Sequence, residues 1–132
     1  MIHFRKSSKG FTLVEILVVV AILALLATIA IPHLLRARIT ANESNAKGTL
    51  KTISTALETF ALANGAYPPN TTSLIGQVPP YLNRDYFSAP QAGYGYTISL
   101  GLYNYSVVAT PENAGQGRTF TMSTGGLLTE SP

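Results

Sequence analysis

From residue 11 to residue 31 the chain is almost wholly apolar, with Glu15 as its one charge and Thr12 and Thr28 as its other polar side chains. At helical rise such a run spans roughly 30 Å, the thickness of a bilayer's hydrocarbon core. After Pro32 the pattern changes. Ile39, Ala46, Leu50, Ile53, Leu57 and Phe60 recur at three- and four-residue steps, which predicts one apolar stripe on an amphipathic helix. Glu43 and Lys47 stand in the favourable order for an i,i+4 pair on its solvated face. Asn64-Gly65 predicts a left-handed C-cap, and Pro68-Pro69 prevents the helix from continuing. A helix from about 12 to 64 would be roughly 80 Å long. That is far more than a small domain needs, so its first half is expected to project as in a polymer subunit.

Residues 65–93 are turn-rich, with Tyr67-Pro68-Pro69-Asn70, Gly76, Pro79-Pro80 and Ala89-Pro90, and predict a connecting loop with a helical turn over 72–77. Three β-rich runs follow, 94–100, 103–110 and 119–123, and Gly125-Gly126 leads to a short fourth at 127–129. Tyr94, Tyr96, Ile98 and Leu100 alternate with small polar residues, as do Tyr103, Tyr105, Val107 and Ala109, which is the pattern of half-buried strands. Gly101-Leu102 suits a tight hairpin between them. The expected fold is α+β: a long N-terminal helix, kinked at Pro32, packed through Leu50, Ile53, Leu57 and Phe60 on a small antiparallel sheet.

A chain of 132 residues has room for one domain. Outside the apolar run few apolar residues remain, so the rest can bury only a small core and is expected to borrow a face of the preceding helix. The formal charge of +3 is unevenly placed. Arg5, Lys6 and Lys9 precede Gly10; beyond it Arg36, Arg38, Lys47, Lys51, Arg84 and Arg118 are balanced by Glu15, Glu43, Glu58, Asp85, Glu112 and Glu130. Net charge therefore gives no support to nucleic-acid binding. The tyrosines alternate into a sheet with few cations near them, which favours packing over base stacking.

The chain has no cysteine, which excludes disulfides, thiolate metal sites and cysteine nucleophiles together. It shows no His–Asp–Ser set, no Gly-rich phosphate loop and no usefully spaced carboxylate pair, so neither an enzyme nor a cofactor is expected. His33 has no second ligand at i+3 or i+4 and reads as a headgroup-level residue beside Arg36 and Arg38 rather than a metal ligand. His3 falls in the basic N-terminal segment.

Three readings compete for the apolar run: a plain membrane anchor, a secretory signal cut after it, or a leader cut before it. A secretory signal has an apolar region of about 7–15 residues ending in small residues. Here the run is longer, and the nearest candidate, Thr28-Ile29-Ala30, is followed almost at once by Pro32. A plain anchor does not account for Glu15, because an acid within a span costs on the order of 3 kcal/mol at its centre. Either Glu15 snorkels to the headgroups or it marks a functional pairing.

Lys9-Gly10-Phe11-Thr12-Leu13-Val14-Glu15, then an apolar helix, then Ala30-Ile31-Pro32, closely resembles the N-terminus of type IV pilins and type II secretion pseudopilins. The likeness covers about a third of the chain. It implies that 1–10 is a leader, that a prepilin peptidase cuts between Gly10 and Phe11, and that the new amine of Phe11 is methylated. A side chain at position 10 would obstruct the peptidase's approach to the backbone. The cut creates an α-amino cation at Phe11. In a filament core that excludes water, Glu15 can be neutralised by the amine of an adjacent subunit, or by its own. Such a buried pair serves specificity more than stability.

Pro32 removes a backbone hydrogen bond, at a cost of about 3 kcal/mol or a kink. The resemblance adds that related subunits lose helical order just before this proline when packed, while Ala24, Ala27, Thr28 and Ala30 allow close helix approach. The implied partners are further copies of the chain in a helical filament, prepilin peptidase, inner-membrane assembly machinery and, before assembly, membrane lipid. The leader is placed in the cytoplasm, since long translocated regions largely escape the positive-inside rule. The implied divisions are 1–10 leader, 11–31 transmembrane and filament-core helix, and 32–64 amphipathic continuation forming one domain with 65–132.

The leading expectation is a pilus subunit, followed by a pseudopilin of a type II secretion system and, in a different class, a tethered binding module that never polymerises. Major pseudopilins carry an acidic calcium loop near the C-terminus, whereas residues 111–118 here hold one carboxylate, Glu112, and end in Arg118. Asn70-Thr71-Thr72 and Asn104-Tyr105-Ser106 match the glycosylation acceptor pattern; beside a bacterial-type leader they read as coincidence.

Overall fold

The computed structural model describes residues 9–132, so Arg5 and Lys6 of the expected leader, and His3, lie outside the described residues. The chain divides into two compact units, Met1–Ala37 and Arg38–Pro132. One helix, α1 (Leu13–Asn64), runs through Pro32 without interruption. In the first unit all the described residues are exposed, the Leu, Ile and Val side chains included. Between Glu15 and Ile31 the polar side chain is Thr28, and its hydroxyl donates to the Ala24 carbonyl at 2.9 Å, so it adds no unsatisfied donor to an apolar surface.

In the second unit α1 buries Ala46, Thr49, Leu50, Ile53, Ser54, Ala56, Leu57 and Phe60, the expected stripe widened by small residues; Ile39 is half-buried. The helix ends where glycine is needed: Gly65 has φ +79° and its N–H reaches the Ala61 carbonyl at 2.8 Å. The connecting loop holds a single turn, α2 (Thr72–Ile75), and Leu74 and Leu82 are almost wholly buried. The Tyr81 and Leu82 N–H groups both donate to the Leu74 carbonyl, so the loop is pinned and forms part of the core.

Four strands follow: β1 (Tyr94–Leu100), β2 (Tyr105–Pro111), β3 (Thr119–Ser123) and β4 (Leu127–Ser131). They pair antiparallel in the order β1-β2-β3-β4. Period-two alternation puts Tyr94, Tyr96, Tyr105, Val107, Ala109, Phe120 and Met122 in one core with the α1 stripe. Buried hydroxyls are paired: Ser54 Oγ lies 2.7 Å from Tyr105 Oη, and Tyr94 Oη donates to the Arg118 carbonyl at 2.9 Å. Tyr67 donates to both oxygens of Glu58, and burial together with that carboxylate pushes its phenol up to about 12.

Three expectations need correction. The second strand starts at Tyr105, and Tyr103 is 75% exposed in a four-residue connection. Leu100 pairs with Tyr105, and the Gly101 N–H bonds the Asn104 carbonyl at 2.8 Å. Alternation identifies which face a residue takes but not where pairing begins, and Tyr103 and Tyr105 share the same parity. The last strand runs to Ser131 because pairing with β3 extends to Thr119.

Glu43 and Lys47 do not pair on a solvated face. Glu43 accepts from the Arg118 backbone N–H at 3.0 Å and from its guanidinium at 3.3 Å. Lys47 pairs with Glu130, which also binds Arg118 at 2.7 Å. Tertiary partners on the 112–118 loop and β4 displaced the local one.

These bridges predict an acid limb. Hydrogen bonding from Arg118 holds the Glu43 carboxyl below its ordinary value, and hydrogen bonding from Lys47 does the same for Glu130. A depressed carboxyl contributes stability that is present above the unfolded pKa of 4.5 and is lost as pH falls through the folded value. The melting temperature of the full chain in detergent is expected to fall between about pH 5 and pH 3. The Glu43→Gln/Glu130→Gln double variant should show a visibly shallower fall, and equal slopes would remove these two groups from the acid response.

Candidate assembly site at the start of the long helix

Thr12 and Glu15 close on each other. The Thr12 backbone N–H and hydroxyl donate to Glu15 Oε2 at 2.7 and 2.8 Å, and the Glu15 N–H donates to Thr12 Oγ1 at 3.2 Å. This is a reciprocal capping box, with Thr12 at N-cap and Glu15 three residues on. It satisfies two backbone donors that the first turn otherwise leaves open and sets a negative charge at the positive end of the helix. The Thr-x-x-Glu spacing was legible in the sequence. Reading Glu15 as a snorkelling or a pairing residue passed over Thr12, whose N–H and hydroxyl hold the carboxylate.

Phe11 is 86% exposed, and with Val14 and Val18 it lines a shallow apolar hollow beside the Glu15 carboxylate. Gly10 and Phe11 precede the helix in exposed, non-helical chain, and among the described residues nothing lies within 4 Å of a Cβ placed on Gly10. Gly10, Phe11 and Glu15 thus lie within one turn of the helix start. Pro32 stands apart on the same helix, beside His33 and Arg36. Among the described residues no three of His, Cys, Asp and Glu gather into a metal-binding group. The first unit also holds the one stretch among the described residues long and apolar enough to cross a membrane. The arrangement offers a pre-oriented carboxylate, an exposed Gly10-Phe11 segment ahead of the helix, and a long apolar surface.

Residues 5–31 match the prokaryotic N-terminal methylation motif. The chain is 41% identical to the type II secretion system core protein G of Pseudomonas aeruginosa over 70 residues, covering 53% of this chain and 49% of the relative. It is 35% identical to the type IV major pilin protein PilA of Myxococcus xanthus over 97 residues, covering 74% of this chain and 40% of the relative. It is 40% identical to the type IV wide pilus major component PilA4 of Thermus thermophilus over 70 residues, 53% of each chain. The matched region spans about half the length of these relatives. Pilus and secretion subunits alike stand among them, and they are structural subunits rather than enzymes. With its one long helix and four-stranded antiparallel sheet, the chain is pilin-like in fold as well as in its N-terminal motif.

Proposed function

We propose that this pilin-like chain is the precursor of a type IV pilus subunit: it is cut between Gly10 and Phe11, methylated at Phe11, and polymerised through α1. The observation that carries the reading is the wholly exposed apolar segment of α1, opened by a capped glutamate. Such a surface cannot stand in water. Lipid covers it before assembly, and the α1 segments of other copies cover it afterwards. The leader, 1–10, stays in the cytoplasm, 11–31 spans the inner membrane, and 32–64 forms one domain with 65–132 outside it.

The capping box gives Glu15 a partner within its own chain while the subunit waits in the membrane. After cleavage an adjacent Phe11 amine can add the opposite charge to a carboxylate already in place. Pro32, which lacks an N–H for the helical ladder, is the position where α1 opens most cheaply during packing. The partners are further copies, prepilin peptidase and inner-membrane assembly machinery; nucleic acid is not a primary ligand.

Intact mass of the membrane-held or assembled chain should show loss of residues 1–10 and gain of one methyl group. A bulky residue at Gly10 should leave the precursor uncut, because the peptidase must pack against that backbone. A mature chain starting near Ile31 would overturn the assignment.

The likeness to secretion core protein G favours one second reading, a periplasmic pseudopilus. Calcium separates the two. In the 112–118 loop Glu112 is the one carboxylate, and Arg118 is committed to Glu43 and Glu130. The Arg118 guanidinium and the Lys47 ammonium together therefore balance the Glu43 and Glu130 carboxylates that Arg118 contacts. Melts of the full chain in excess chelator and in millimolar calcium are expected to coincide. A clear rise with calcium would transfer preference to the pseudopilus.

A further inference from the structure

Gly48 has no evident reason to be glycine within its own chain. It lies in the interior of α1, where only proline is less favourable, and a Cβ built on it meets nothing within 4 Å. It is exposed, and it opens into a groove bounded by Lys51 and Thr55 on α1 and by Met122, Gly126 and Leu128 on the sheet side. A missing Cβ beside a groove is what close approach by another backbone requires.

The charges on the rim indicate which backbone. Lys47 is paired with Glu130, and Glu58 accepts from Tyr67 and from the Gly125 N–H. Lys51, among the described residues, has no ion-pair partner. Two exposed carboxylates of the second unit, Asp85 and Glu112, likewise have no ion pair among the described residues; Asp85 accepts from the Phe87 N–H at 2.8 Å, whereas no hydrogen bond among the described residues reaches the Glu112 carboxylate. Glu112 opens a slender loop, Glu112-Asn113-Ala114-Gly115, held in its turn by hydrogen bonds from the Glu112 N–H to the Gly93 carbonyl and from the Gln116 N–H to the Asn113 carbonyl.

We propose that the groove beside Gly48 receives the 112–115 loop of a second copy of this chain, with that copy's Glu112 pairing with Lys51. The two surfaces differ, so the contact is heterologous. Repeated, it generates an open helical assembly rather than a closed dimer. The proposal rests on the filament reading and adds a specific contact between the globular parts of successive subunits.

The chain has no cysteine, so introduced ones report cleanly. Full-length Gly48→Cys and Ala114→Cys chains are co-expressed, filaments are sheared, and the material is oxidised. A disulfide-linked dimer should appear in the mixture and in neither variant alone. Lys51→Glu and Glu112→Lys should each lower filament yield about threefold, the scale of an exposed ion pair, and the double exchange should restore it. Gly48→Gln should raise the melting temperature by about 2–5 °C through helix propensity while lowering filament yield by filling the groove. Filaments without the mixed dimer would overturn this contact and leave the filament reading standing. Dimers from Gly48→Cys alone would mean a symmetric contact and also overturn it. Absence of wild-type filaments would overturn both.

Discussion

Replacing Glu15 with alanine is expected to leave membrane insertion and cleavage intact and to lower filament recovery about a hundredfold, equivalent to roughly 3 kcal/mol for a buried charge pair that loses one member. The geometry at the helix start allows two effects to be separated. Glu15 both caps the helix, through Thr12, and carries a charge. Glu15→Gln retains a side chain that can close a capping box while removing the charge. Thr12→Ala removes the cap hydroxyl, at about 1 kcal/mol, and keeps the charge. If pairing with a neighbouring amine governs assembly, Gln should fail nearly as badly as Ala, and Thr12→Ala should be mild. Comparison of sheared surface and membrane fractions gives the readout. Normal filaments from Glu15→Gln would remove the charge pair from the mechanism and leave Glu15 as a capping residue.

Phe120→Ala should be the most damaging single change in the folded domain, costing about 3–5 kcal/mol. Phe120 is fully buried on β3, its ring packs against Tyr94 at 6.0 Å between centroids, and Lys47 Nζ lies 4.8 Å from its centre. Truncation removes the ring's burial, leaves a cavity between sheet and helix, and takes away the ring face beneath the Lys47 ammonium. For a domain of this size the melting temperature should drop by about 15–30 °C, monitored by near-ultraviolet circular dichroism of the full chain in detergent. Tyr103→Ala is the control. That side chain is 75% exposed, and its loss should stay within about 0.5 kcal/mol. A loss of only a few degrees for Phe120→Ala would show that neighbouring side chains refill the space.

Much of this was legible along the chain because the signals are periodic. A twenty-one-residue apolar run, a stripe at three- and four-residue steps, and alternation over 94–100 each depend on local geometry that repeats, so they predict element type without knowledge of any partner. Gly65 ends α1 because a left-handed residue there is a backbone requirement independent of what lies beyond. The capping box belongs to the same legible class, since Thr12 and Glu15 are three residues apart and need nothing else.

What only the tertiary structure decided is where one residue has competing partners of similar energy. Glu43 and Lys47 are well spaced for each other, yet an exposed i,i+4 pair offers only about 0.3–0.5 kcal/mol. Arg118 outbids it by presenting a backbone N–H and a guanidinium to Glu43 together, while Glu130 takes Lys47. Nor does alternation alone say that β2 begins at Tyr105 rather than Tyr103, because both residues point the same way and the four-residue connection settles the start. The burial of Leu74 and Leu82 was hidden in a turn-rich segment with no period to read. The sequence by itself determined the helix, its start and end, and the faces of the strands, because these follow from repeat and short-range chemistry. Register, ion pairing and the loop's share of the core waited for the fold, because they are settled by groups that stand far apart along the chain and meet only in space.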